Sequence, residues 1–183
     1  PMPLDTCVDI PLIDFQPFLD DDPDGQQRVA QEIYQACHNI GFLYLKNHGV
    51  PANAIGRAFE QSQQFFGSPM ADKQAIAWSN ECSNRGYVGV ERERLDETQP
   101  GDLKEAFNMG KELISGESTE SPELVLNQWP SGQDAFRETI TEFFEVCTAA
   151  AQRIFRAFAI ALDMPAGYIV DRHQTDNYTL RLL

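Results

Sequence analysis

Ser131–Met164, SGQDAFRETITEFFEVCTAAAQRIFRAFAIALDM, is the longest unbroken helical pattern in the chain. Apolar residues recur at Phe136, Ile140, Phe143, Phe144, Cys147, Ala151, Ile154, Phe155, Phe158 and Leu162. This is the three- and four-residue rhythm of a helix that buries one face. Neither Gly nor Pro interrupts it from Gln133 to Met164. Ser131, with Asp134 three residues on, predicts the start, a side-chain oxygen capping the free N–H groups of the first turn. Pro165 predicts the stop. At 1.5 Å per residue the helix should run to roughly 45 Å. Its phenylalanines need a large apolar partner, and the remaining segments are short. The expectation is that the isolated chain exposes a phenylalanine-rich stripe larger than an ordinary surface patch and is poorly soluble or molten.

Working outward, Asn127–Pro130 lead into this helix, and Gly110–Leu126 has no period and reads as a loop. Leu103–Met109 and Arg85–Val90 read as strands, separated by the charged, turn-rich Glu91–Asp102 and preceded by a polar loop at Asn80–Ser83. Pro51 opens a helix whose apolar set is Ile55, Phe59, Phe65 and Phe66. Ser68 and Pro69 close it and cap a short helical turn to about Trp78. Gly25–Ile40 is the first long helix, with Val29, Ile33, Ala36, Cys37 and Ile40 buried and Gly41 as its stop. Phe42–Lys46 is a strand and Asn47–Gly49 a turn. Val8–Phe15, broken by Pro11, is an edge strand, since Pro donates nothing to a ladder. Asp20, Asp21, Asp22 and Asp24 lack the spacing and the Glu of a calcium loop. Asp22 and Pro23 fit an N-cap and first helical residue instead. Beyond Pro165, Ala166–Arg172 is a short helix and Tyr178–Leu183 a strand. Two or three isolated strands do not make a stable open sheet, so the last strand is expected to open a sheet that lies outside this sequence. The chain is expected to be the first half of a larger protein.

The chain has 183 residues and a net charge of −14. That charge argues against nucleic-acid partners, whose phosphates need clustered Lys and Arg, and against docking on an anionic membrane. No apolar run approaches the ~20 residues of a membrane-spanning helix, and no basic-then-apolar leader is read at the start of the sequence. The four cysteines are scattered, without a Cys-x-x-Cys pair. Reduced, structural thiols in a cytoplasmic protein are the expectation.

Several short segments occur in a telling order: IPLIDF at 10–15, GFLYLKNHGVP at 41–51, FFGSPMADK at 65–73, NRGYVGV at 84–90, DLKEAFNMG at 102–110 and NYTLRLL at 177–183. Each is weak alone, but the series resembles the N-terminal region of the isopenicillin N synthase-like non-haem iron oxygenases, most of which use 2-oxoglutarate. The resemblance spans essentially the whole chain. It implies an α+β fold in which a helical N-terminal region with flanking strands (residues 1–130) and a long backing helix, short helix and first strand (residues 131–183) back a double-stranded β-helix, or jelly roll. Most of that jelly roll would lie outside this chain. The long helix would lie along its major sheet.

The resemblance also implies the cofactors Fe(II) and 2-oxoglutarate and a small-molecule substrate oxidised with dioxygen. Two His and one carboxylate hold one face of Fe(II) and leave positions open. In the family they come from a His-x-Asp pair and a distant His, with an Arg and a Ser for the co-substrate. None of His38, His48 and His173 is followed two residues later by Asp or Glu. His173-Gln-Thr-Asp176 has the wrong spacing and precedes the strand after which the ligand motif falls. His38 is expected at a helix end, and His48 bonded to nearby backbone. The metal ligands and co-substrate Arg are therefore expected outside this chain, which alone should hold no iron or 2-oxoglutarate. Asn84, Arg85 and Tyr87, in the segment that borders the substrate in the family, and Arg181 on the last strand are the candidate substrate-lining residues. For Tyr87 the alternative is a packed aromatic with a bonded hydroxyl; Arg181 could instead pair with a carboxylate. Lys104 and Glu105 are expected as a solvent-facing ion pair. The competing reading is a truncated, non-catalytic relative acting as a protein-interaction module. An unrelated small helical enzyme finds no Ser-His-Asp, P-loop or Cys-His constellation here.

Overall fold

A computed structural model describes residues 9–78, 84–96, 98–112, 126–173 and 178–183. In chain order the elements are β1 (Leu12–Asp14), α1 (Gln16–Leu19), α2 (Pro23–Asn39), β2 (Tyr44–Lys46), α3 (Ala52–Phe66), α4 (Met70–Gln74), β3 (Gly86–Val88), β4 (Ala106–Met109), α5 (Asp134–Ala161), a 3-10 turn at Val170–Arg172, and β5 (Leu180–Leu182). The fold is α+β. Two compact units divide it, Pro1–Val50 with Cys147–Thr175, and Pro51–Val146 with Asp176–Leu183. They cut across the expected segments 1–130 and 131–183, because α5 contributes a stretch to each. No helix among the described residues is long and apolar enough to cross a membrane.

The long helix is real but shorter than its sequence pattern. Gly132 takes a left-handed φ of 72°, so the chain turns at Ser131–Gly132 and the first helical bond, Phe136 N–H to the Gln133 carbonyl (3.1 Å), starts later. At the far end Asp163 adopts φ 53°. Met164 N–H then bonds the Ala159 carbonyl (2.9 Å) and Asp163 N–H that of Ile160 (3.0 Å), the crossed pair that closes a helix through a left-handed residue. Pro165 follows this stop and does not cause it.

In the first unit, α1 and α2 form the crossover between β1 and β2, which pair in parallel with Leu12 opposite Tyr44, Ile13 opposite Leu45 and Asp14 opposite Lys46. Pro11 is compatible because it only accepts here, from Tyr44 N–H (2.8 Å). The core is Ile13, Phe15, Phe18, Val29, Ile33, Ala36 and Ala157, with Ile154 and Phe158 packed against it. Phe15 and Phe18 stack at 4.6 Å. Cys37, expected in this core, is exposed. Gly41 (φ 85°) ends α2 as its sequence predicts.

In the second unit, α3 and the first half of α5 pack on the antiparallel sheet β3–β4–β5. The expected Tyr178–Leu183 strand therefore pairs with β4 inside the chain. Phe65 is fully buried, with its ring 4.7 Å from Phe136, 5.2 Å from Phe107 and 5.1 Å from Phe66. Burying such a side chain is worth about 1.5–3 kcal/mol. Phe59 lies 73% exposed, and Ala54 and Ala58 take the buried positions of α3 instead. The expected exposed phenylalanine stripe is corrected here: Phe136 and Phe144 are 1% and 5% exposed, and Phe143, Phe155 and Phe158 are half-buried. The strands expected to be too few cover Phe136, Phe143 and Phe144 when α3 joins them, and Phe158 packs against the core of the first unit.

Candidate functional site

The sheet of the second unit has two chemically distinct faces. Tyr87, Phe107, Met109, Leu180 and Leu182 point toward α3 and α5. The other face carries the row Gly86–Asn108–Arg181, directly opposite one another in register. Gly86 has φ 102°, and a Cβ there would overlap the Ile76 carbonyl oxygen. Only glycine suits that approach. It lets Tyr87 N–H bond the Ile76 carbonyl (2.9 Å) and Trp78 N–H bond the Tyr87 carbonyl (2.8 Å).

Three of the four candidate residues gather around this row. Asn84, left-handed at φ 41°, accepts on its side-chain oxygen from Asn108 Nδ2 at 2.7 Å. Asn108 is 1% exposed, and its Oδ1 has no hydrogen-bond partner among the described residues, an acceptor whose burial is costly unless something satisfies it. Arg85 donates to the Asn84 carbonyl (3.3 Å) and to Thr179 Oγ1 (3.2 Å). Its guanidinium lies where a side chain on Gly110 would sit. Its Nε finds no partner among the described residues, and burial draws its pKa below the ordinary value. Arg181 pairs with Glu93. It borders an open cavity of about 820 Å³ that Trp78, Arg92, Arg94, Asp102 and Lys104 also line.

Tyr87 sits on the opposite, helix-facing side at 2% exposure. Its hydroxyl donates to Glu105 Oε2 (2.7 Å), and Lys73 lies 5.5 Å from its ring centre. Burial first, then the Glu105 carboxylate, push the hydroxyl up to about 12. Lys73, 4% exposed, donates to Glu105 Oε2 (2.6 Å) and the Phe66 carbonyl (2.9 Å). Burial pulls the Glu105 carboxyl upward, but the bonds from Lys73 and Tyr87 outweigh it and hold the group below its ordinary value. The expected Lys104–Glu105 pair is thus corrected. Adjacent strand residues face opposite ways: Glu105 turns to Lys73, while Lys104 pairs with Glu93 (3.3 Å) and Asp102 (2.7 Å). Asn108 and Lys73 went unrecognised in the sequence. Asn108 left one signal, a polar residue in the apolar run AFNM.

The histidines are otherwise engaged. His38 bonds Asn39 Oδ1 (3.0 Å), His48 Nδ1 accepts from Val50 N–H (3.1 Å) as expected of it, and His173 Nδ1 meets the Ile169 carbonyl (2.9 Å). No three His, Cys, Asp or Glu side chains converge among the described residues. The donor set of these residues does not fit a two-histidine, one-carboxylate iron site. Gly110–Leu126, read as a loop, lies largely outside the described residues, as does Asp176.

Residues 10–132 match the family described as the N-terminal region of non-haem dioxygenases in morphine synthesis. The chain belongs to that family, the N-terminal region of isopenicillin N synthase-like Fe(II)/2-oxoglutarate oxygenases. A 2-oxoglutarate–Fe(II)-type oxidoreductase of Metarhizium rileyi is 29% identical over 95% of this chain and 50% of its own length. A homoarginine-6-hydroxylase of Arabidopsis thaliana is 30% identical over 84% of this chain and 48% of its own. A solved structure of a full-length Neurospora crassa protein in complex with alpha-KG superposes with a TM-score of 0.79 at 31% identity, covering 94% of this chain and 53% of that one. The chain spans about half the length of the curated relatives it matches.

Proposed function

We propose that this chain is the front half of a non-haem Fe(II)- and 2-oxoglutarate-dependent oxygenase that oxidises a small-molecule substrate with dioxygen. The family match over residues 10–132 carries the reading. The alpha-KG bound to the Neurospora relative, which is 2-oxoglutarate, and the 5-formyluracil bound with it in a second structure agree with a small-molecule oxygenase. The iron and co-substrate ligands belong to a jelly roll that this chain backs. Fe(II) would supply the oxidising chemistry there. The contribution of this chain is positional: β3, β4 and β5 hold Asn84, Arg85 and Arg181 on the face turned away from α5, where they line one wall of the substrate pocket, and the buried Asn108 fixes the Asn84 side chain.

The coding sequence after the Leu183 codon tests this. A His-x-Asp, then a later His and an Arg-x-Ser, followed by 2-oxoglutarate consumption by the protein so encoded, supports the oxygenase. A stop codon at that point supports the non-catalytic interaction module instead.

A further inference from the structure

The oxygenase reading leaves the chemistry of the small molecule open, and one feature of the second unit bears on it. The cavity of about 820 Å³ beside Arg181 is lined by four basic side chains and two acidic ones, a surplus of two positive charges, in a chain whose net charge is −14. Its cations are not equivalent. Lys104 and Arg181 are held by Glu93 and Asp102. Arg94 has no ion pair or hydrogen bond to its side chain among the described residues, and Arg92 makes only a face contact with the Trp78 ring, 5.6 Å from its centre. Two uncommitted guanidinium groups thus stand next to a cluster in which Lys104 and Arg181 are offset by Glu93 and Asp102, and the surplus charge of this cavity rests on Arg92 and Arg94. Guanidinium groups bind carboxylates through paired N–H donors.

Trp78 and Arg92 also line a second open cavity, of about 450 Å³. There Met70 and Val90, each about half exposed, offer apolar surface beside Tyr87, Gln74 and Glu91, so the two cavities together carry four basic and three acidic side chains. The two spaces therefore meet at the Arg92–Trp78 pair, the first mostly charged and the second more apolar, with Glu91 its one carboxylate. The Trp78 Nε1–H has no acceptor among the described residues.

We propose that this pair of cavities binds an amphipathic organic anion, its carboxylate at Arg94 and Arg92 and its apolar body along Trp78 toward Met70 and Val90. That this ligand is the oxygenase substrate rests on the function proposed above; the binding itself does not.

The test uses the 183-residue chain labelled with nitrogen-15. The indole N–H signal of Trp78 is distinguished from that of Trp129, the other tryptophan, by its loss in Trp78→Phe. The probes are 4-phenylbutyrate, its uncharged amide 4-phenylbutyramide, and butyrate. The expected result is a saturable shift of the Trp78 signal with 4-phenylbutyrate and much weaker responses to the amide and to butyrate. Arg94→Gln should weaken 4-phenylbutyrate about tenfold, the loss of one charge-assisted hydrogen bond, and Arg94→Lys should recover part of it. The remaining amide signals report whether each variant stays folded. Equal responses to acid and amide, equal responses to 4-phenylbutyrate and butyrate, undiminished binding by a folded Arg94→Gln, or no response at millimolar ligand would each overturn the proposal. No iron or co-substrate enters this measurement. Binding without 2-oxoglutarate consumption by the longer protein would refute only the oxygenase reading, and consumption without binding only this one.

Discussion

Glu105→Gln is the most informative single change to the second unit. It keeps the shape of the side chain and removes the charge that neutralises Lys73, whose side chain is 5% exposed. Lys73 would keep the Phe66 carbonyl (2.9 Å) and a neutral amide oxygen in place of the carboxylate, but no countercharge. Removing one partner of a buried ion pair costs about 3–5 kcal/mol. Glu105 is 28% exposed, so water relieves part of this, and about 2–3 kcal/mol is expected. Lys73→Met removes the buried charge itself and leaves Glu105 bonded to Tyr87 and partly hydrated, for about 1–2 kcal/mol. The double variant Lys73→Met/Glu105→Leu has no buried charge and should lie within about 1 kcal/mol of the wild type. The order of stability is therefore the wild type and the double variant, then Lys73→Met, then Glu105→Gln, with strong non-additivity. Urea unfolding followed by tryptophan fluorescence measures it, because Trp129 packs on Phe107 and Phe136 in this same core. A Glu105→Gln protein within about 0.5 kcal/mol of the wild type, the range of an ordinary surface substitution, would refute the buried-charge argument.

The same cluster sets a pH dependence. The folded Glu105 carboxyl lies below its ordinary value of 4.5, so its stabilisation is present above that value and is lost as pH falls through the folded one; Glu105→Gln should flatten the acid limb of a stability profile. Tyr87 moves the other way, from 10.0 up to about 12. Its stabilisation is complete below pH 10 and is lost as pH rises toward 12, a limb that Tyr87→Phe should remove. Phe136→Ala should cost about 3–5 kcal/mol, against a negligible change for Phe59→Ala, by denaturant titration. Gly86→Ala should broaden the amide spectrum of β3 and β4 or unfold the second unit, since its Cβ has no room beside the Ile76 carbonyl; an undisturbed spectrum would contradict the geometry.

Helix existence was legible because periodicity is a local property. The pattern at Val29, Ile33 and Ala36 is buried as read, and Gly41 stops α2 where it should. What periodicity could not show was which apolar residue finds a partner. Phe59 and Cys37 keep the helical phase yet lie outside the cores, because burial is decided by what packs opposite. The ends of α5 were misplaced for a backbone reason: Gly132 and Asp163 both adopt left-handed conformations, and the chain turns there regardless of the side-chain pattern. The site was legible only as a segment. NRGYVGV and LKEAFNM could be marked, but which strand faces meet is a matter of register. Register put Asn108 beside Asn84 and Arg181, sent Tyr87 to the other side, and gave Glu105 to Lys73 across 32 positions of sequence.

In the function proposed above, this chain positions and backs an iron site whose ligands lie outside residues 1–183. Anaerobic titration with Fe(II) in the presence of 2-oxoglutarate, followed by calorimetry, tests it directly on two proteins, the 183-residue chain and the protein encoded by its full reading frame. The account predicts one tight iron per molecule, with 2-oxoglutarate consumed once oxygen is admitted, for the longer protein and neither for the 183-residue chain. Stoichiometric tight binding and co-substrate consumption by the 183-residue chain alone would contradict it.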